Sequence, residues 1–123
     1  MELKSSDFSF SQDNVYINRN VNNNKPGMLL IMANWCGHCQ RFKPTYNEIC
    51  KQIGKDFICT SIEHAQLEKS SRLTQALNFS GYPTIKFFDK SGRIISEYKS
   101  NDRSKVALLA HICDVYHHCV TRH

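Results

Sequence analysis

The chain has 123 residues, 41% of them hydrophobic and 22% charged, enough to bury one core and too few for two domains. The net charge of +5 comes from scattered basic residues (Lys51, Lys55, Lys69, Arg72, Lys86, Lys99, Arg103) with no run of five or six, which argues against a nucleic-acid surface. No apolar stretch approaches the roughly 18 residues of a membrane span, and the start M-E-L-K-S-S-D-F lacks the apolar core of a secretion signal.

Residues 1–12 carry no clear element and are expected to form an extension before a single domain that fills the rest of 1–123. N-V-Y-I (14–17) reads as a short strand. N-R-N-V-N-N-N-K-P-G (18–27) reads as an exposed loop, on its asparagines and Pro-Gly pair. M-L-L-I-M-A (28–33) is a continuous apolar run, the pattern of a strand buried on both faces. From Cys36 to Ile53, helical spacing places Phe42, Tyr46, Ile49, Cys50 and Ile53 on one side, with a kink expected at Pro44 and a stop at Gly54. F-I-C-T-S-I (57–62) is a second apolar strand. A helix over about 65–78 carries Leu67, Leu73, Ala76 and Leu77 inward. Y-P-T-I-K-F-F (82–88), D-K-S-G (89–92) and R-I-I-S-E-Y (93–98) make a hairpin. Asn101 or Asp102 is expected to cap a last helix with Val106, Leu109, Ile112, Cys113, Tyr116 and Val120 on its apolar face; 120–123 form a tail. This alternation predicts an α/β fold, a central mixed β-sheet flanked by helices on both faces.

The chemistry concentrates in N-W-C-G-H-C-Q (34–40), at the carboxyl end of a buried strand where a helix begins. Unpaired backbone N–H groups at a helix start act as roughly half a positive charge, so a Cys36 thiolate is favoured there and its pKa should fall below the free value of ~8.5. His38, when protonated, is expected to add a second cation. Cys39 lies one turn inward, more buried and less acidic, and within reach of Cys36 for a disulfide. A zinc site would need about four ligands and normally a second close pair, and the sequence has no second C-x-x-C. The spacing favours thiol–disulfide exchange: Cys36 attacks a substrate disulfide, and Cys39 then resolves the mixed disulfide.

W-C-G-H-C, Pro44 five residues after the second cysteine, and G-Y-P-T-I-K-F-F together resemble the thioredoxin superfamily, and within it the catalytic domains of protein disulfide isomerases. The resemblance covers about residues 13–119. It implies a thioredoxin fold, no cofactor, catalytic roles for Cys36, Cys39 and His38, and a cis Pro83 packed against the sulfurs. Extended protein substrates would pair with backbone at Tyr82 and Thr84, with Trp35 and Gly37 bordering the groove. One departure stands out. The family usually has a buried Asp or Glu six residues before the nucleophile, and a lysine on the next strand; here the positions hold Leu30 and, to within about one residue, Ser61. Without that base, Cys39 is expected to deprotonate sluggishly.

Direction is left open. The Gly-His dipeptide resembles isomerase-type pairs, about −180 mV against about −270 mV for thioredoxin, whereas the lack of a signal sequence points to a reducing cytosol. The expected partners are protein dithiols and disulfides plus a sulfhydryl oxidase or a reductase, acting on a monomer. The Asn-, Lys- and Ile-rich composition resembles proteins of AT-rich genomes such as those of large DNA viruses, which would add the virion as a location. Low-turnover binding is the alternative to catalysis.

Cys50 and Cys59 are expected to be small core residues. Cys119 lies roughly 9 Å along a helix from Cys113, too far to bridge without unwinding, and is expected as a free thiol. His111, His117, His118 and His123 crowd the end; with Cys113 and Cys119 they offer a zinc or copper site, against the plainer reading of a solvated helix end.

Overall fold

The apolar run 28–33 lies at the centre of the molecule. The computed structural model describes residues 1–120. In chain order the elements are β1 (Glu2–Leu3), a 3-10 turn (Ser5–Asp7), β2 (Phe8–Ser11), β3 (Asn14–Ile17), α1 (Arg19–Asn22), β4 (Gly27–Met32), α2 (Gly37–Ile53), β5 (Ile58–Glu63), α3 (His64–Glu68), α4 (Ser71–Leu77), β6 (Thr84–Phe88), β7 (Ile94–Glu97) and α5 (Lys105–Tyr116). Five strands form one sheet in the order β1-β5-β4-β6-β7, and β2 and β3 pair as a separate hairpin. β5 runs parallel to β4 and β1; β6 and β7 run antiparallel to their neighbours.

Every residue of β4 is buried, because the strand has cores on both sides. Met28, Leu30 and Met32 point toward Phe42, Tyr46 and Ile49 of α2 and Leu108 and Ile112 of α5. Leu29 and Ile31 point the other way, toward Leu67, Leu73 and Leu77 of α3 and α4. Full burial of each such side chain is worth about 1.5–3 kcal/mol, so this strand anchors the sheet. Gly27 begins it because a Cβ there would strike the Ile58 carbonyl and the Phe88 ring. A buried polar chain fastens α2 across the sheet: the Tyr46 hydroxyl donates to the Thr60 carbonyl at 2.6 Å, and Thr60 Oγ1 donates to the Met28 carbonyl at 2.8 Å.

The mixed sheet with helices on both faces is as expected, while several details differ. Residues 1–12 are part of the fold: Leu3 and Phe8 are buried, and β1 extends the sheet beside β5. The 18–27 segment is no simple loop. It holds α1, with Val21 and Asn22 buried, and Asn22 Nδ2 donates to the carbonyls of Lys90 (2.8 Å) and Lys25 (3.2 Å). The helix expected over 65–78 is two, because Ser70 leaves helical geometry and caps α4 by accepting from Leu73 N–H at 3.1 Å. α2 remains one helix through Pro44.

The last helix differs most. Ser104 caps it, accepting from Ala107 N–H at 3.2 Å, and its buried residues are Leu108 and Ile112, with Val106 exposed. It ends at Tyr116, where His117 takes a left-handed φ of +57° and turns the chain back. That turn brings Cys119 to a Cα–Cα distance of 4.3 Å from Cys113, and the two are disulfide-bonded. The separation computed for an unbroken helix therefore does not apply. Cys50 of α2 and Cys59 of β5 are also paired, with Cα atoms 5.9 Å apart, rather than being separate core thiols.

Candidate active site

Among the described residues, which include all six cysteines, Cys36 and Cys39 are the two that are free. The loop that leads from β4 to them is tied on both sides. Asn34 N–H donates to Glu63 Oε2 at 3.0 Å, Gln40 Nε2 donates to the Asn34 carbonyl at 2.7 Å, and Cys36 N–H to the Ala33 carbonyl at 3.0 Å. Cys36 thereby sits as the N-cap of α2, half-buried, with the first turn of the helix facing its sulfur.

The two sulfurs are driven apart in acidity. The Cys39 backbone N–H is the largest influence on Cys36 and lowers its pKa; the Cys39 thiol, the His38 N–H and the Arg41 charge lower it further, against a smaller opposing cost of burial. Cys39 is 1% exposed, in the same apolar cluster as Leu30, Met32 and Phe42. Burial, then the neighbouring Cys36, push its pKa up to about 11, with a backbone hydrogen bond at Ala33 and the Arg103 charge acting in the opposite direction. One sulfur is half-buried at a helix start that favours its thiolate, and the other is a buried thiol behind it.

Leu30 is 1% exposed and pairs in register with Ser61, so the two uncharged residues sit as neighbours on adjacent strands. The groove beside the sulfurs is formed by the Tyr82–Pro83 segment, whose peptide bond is cis, with Pro83 and Thr84 buried. The Cys36 Sγ–H donates to the Tyr82 carbonyl at 3.7 Å, and Thr84 Oγ1 donates to the Gly81 carbonyl at 2.6 Å. Trp35 is 67% exposed and meets the rings of His64 and Tyr82 edge-on, with centroids 5.5 and 5.7 Å apart. Gly37 is exposed on the first turn of α2.

The sequence reading missed three neighbours of this site. Arg41 Nη2 contacts His38 Nδ1 at 3.0 Å, and its spacing of three residues from His38 on the helix was the available signal. Arg103 reaches Cys39 electrostatically from the loop between β7 and α5, a fold-level proximity with no local pattern. His64 bridges Tyr82 and Glu68: Nδ1 lies 2.7 Å from the Tyr82 hydroxyl and Nε2 3.3 Å from Glu68 Oε1. This holds the Tyr82 ring against α3.

The C-terminal histidines and cysteines do not converge. The Cys113 and Cys119 sulfurs are bonded to each other, the His111 ring packs on Phe87 and Tyr98 (5.2 and 4.9 Å), and His118 Nε2–H donates to the Ile53 carbonyl at 2.9 Å. His123 lies outside the described residues. Among those described, no three His, Cys, Asp or Glu side chains come close enough to hold a metal ion.

With this geometry established, the thioredoxin family matches residues 9–114. The chain belongs to the thioredoxin family. A protein disulfide-isomerase of Zea mays is 36% identical over 70 residues, covering 54% of this chain and 14% of that protein. The chain thus spans only a small part of the curated relatives it matches. Among solved structures, human ERp44 in a zinc-bound form superimposes with a TM-score of 0.66 at 22% identity, covering 91% of this chain and 30% of that one. The Trx4 domain of ERdj5 gives 0.65 at 18% identity, covering 91% and 90%. At these identities the structures establish the fold.

Proposed function

We propose that the chain is a thiol–disulfide oxidoreductase of the disulfide-isomerase type, acting on protein substrates through Cys36 and Cys39. The observation that carries this reading is the placement of the two free sulfurs at the start of α2, with half-buried Cys36 capping the helix and Cys39 buried in its first turn. Cys36 thiolate attacks one sulfur of a substrate disulfide; a mixed disulfide forms and the other substrate sulfur leaves as thiolate. Cys39 loses its proton and attacks Cys36 Sγ, forming the intramolecular disulfide and releasing the second substrate thiolate. The substrate gains two electrons and the pair loses two; run in reverse, the pair oxidises a substrate dithiol. Extended substrate backbone pairs at Tyr82 and Thr84, and Trp35 supplies an apolar edge.

The Gly37-His38 dipeptide supports oxidase or isomerase chemistry, with a sulfhydryl oxidase or a reductase as redox partner. Two further disulfides support a working place where disulfides persist, since cytosolic glutathione and thioredoxin keep thiols reduced. A second reading, a thioredoxin-fold binding module of low turnover, is favoured by Leu30, which leaves Cys39 without a buried carboxylate base at that position. Disulfide reduction driven by dithiothreitol, wild type against Cys36→Ser, separates the two. Catalysis requires a faster wild type; equal rates leave the binding reading.

A further inference from the structure

The sequence leads one to expect the cation beside the nucleophile at His38, and a second basic side chain lies against that ring. Arg41 folds back along α2 over its first turn. Its Nη1 stands 3.6 Å from where a Gly37 Cβ would be, and its Nη2 lies 3.0 Å from His38 Nδ1. A guanidinium has five N–H donors, no acceptor, and does not deprotonate in proteins. In this contact the arginine must therefore donate, and Nδ1 of His38 must present its lone pair. A doubly protonated imidazolium has no lone pair to offer.

We propose that Arg41 is a positioning residue that holds His38 as the neutral Nε2–H tautomer and is itself the permanent positive charge beside Cys36. The inference rests on the reading of Cys36 as the attacking sulfur. It is consistent with the groups around that sulfur: the charge acting on Cys36 is that of Arg41, while His38 contributes its backbone N–H. The other titratable or charged groups facing the site are Cys39 behind Cys36, Arg103 acting on Cys39, Tyr82 at the groove, and Glu63 and His64 beyond Asn34 and Trp35. None of these contacts the His38 ring, whose hydrogen-bond partner is Arg41. The tautomer matters chemically. With Nδ1 occupied, the ring presents Nε2–H outward as a donor, able to meet a leaving substrate thiolate, while the charge that favours the Cys36 thiolate does not vary across the histidine range.

Two measurements on the whole chain test this. Nitrogen-15 spectra of the histidine rings at pH 7, with His38 identified by its loss in His38→Gln, should show the Nε2–H pattern in the wild type and a shift toward mixed protonation in Arg41→Gln. The rate at which iodoacetamide modifies Cys36 in reduced protein, followed on its own peptide by mass spectrometry at pH 6, should fall about two- to fivefold in Arg41→Gln, the range for an exposed charge pair. Arg41→Lys should restore most of that rate, and His38→Gln should slow it less than Arg41→Gln does. An Nδ1–H pattern in the wild type, or a larger loss in His38→Gln than in Arg41→Gln, overturns the proposal. Failure of the underlying reading looks different: the ring pattern and rate order hold, yet wild type and Cys36→Ser reduce disulfides equally.

Discussion

Leu30 and Ser61 lie opposite one another on the parallel pair β4 and β5, with Leu30 packed in the cluster that buries Cys39. Thioredoxin-like domains usually place a carboxylate and a lysine at these points, and here both charges are absent together. Physically the joint loss is coherent, because one buried charge left without its partner costs about 3–5 kcal/mol. It leaves a buried thiol that must lose a proton with no carboxylate from β4 to take it.

Restoring the carboxylate is therefore expected to separate activity from stability. In Leu30→Glu, resolution of the mixed disulfide, followed by stopped flow, should accelerate by about 10²-fold or more, the lower range of general-base assistance. The same variant should melt at a lower temperature, since the new carboxyl enters an apolar cluster with no lysine at Ser61. An unchanged resolution rate would mean that water or another side chain already performs the transfer.

The pH dependence of resolution carries its own sign. Only the Cys39 thiolate attacks, and burial raises its pKa to about 11, so the thiolate fraction grows about tenfold per pH unit through neutrality. The rate is expected to rise along that slope from pH 6 to 9. Capture of Cys36 by substrate removes the Cys36 contributions to the shift, so the slope should break somewhat below 11. For stability the direction is opposite: the folded reduced form binds this proton more tightly than the unfolded chain. That contribution is complete below the ~8.5 of a free thiol and is lost as pH rises toward about 11. A flat rate profile would show that resolution is not limited by Cys39 ionisation.

The two further disulfides should each contribute to stability. They join residues 9 and 6 apart in sequence, and closing such short loops is worth about 2–3 kcal/mol in the chain-entropy account. Non-reducing peptide mapping should recover Cys50 linked to Cys59 and Cys113 linked to Cys119. Cys113→Ser is expected to lower the unfolding free energy by roughly that amount while leaving the modification rate of Cys36 unchanged. Crossed linkages in the peptide map would contradict the pairing.

The sequence made the sheet legible where local pattern and tertiary context agree. The 28–33 run reads as a doubly buried strand and is one, and C-G-H-C at the next helix start places the two sulfurs as found. It fell short where one residue's backbone decides the outcome. A left-handed His117 ends α5 and folds Cys119 back, and nothing in the helical spacing of 106–120 announces that turn. Ser70 is similar: a capping side chain inside an apolar period divides one expected helix into two. The alternation F-S-F-S at 8–11 was a usable strand signal that the extension reading passed over. Arg103 reaches the site through the fold alone, across more than sixty positions of sequence, so no local motif could have revealed it.

The ionisation of one sulfur decides this chemistry, and the pH dependence of Cys36 alkylation in the reduced wild-type chain measures it directly. The Cys36 midpoint should lie below the ~8.5 of free cysteine, with Cys39 modified far more slowly over the same range. A Cys36 midpoint equal to that of free cysteine, or a Cys39 that reacts as fast, would contradict it.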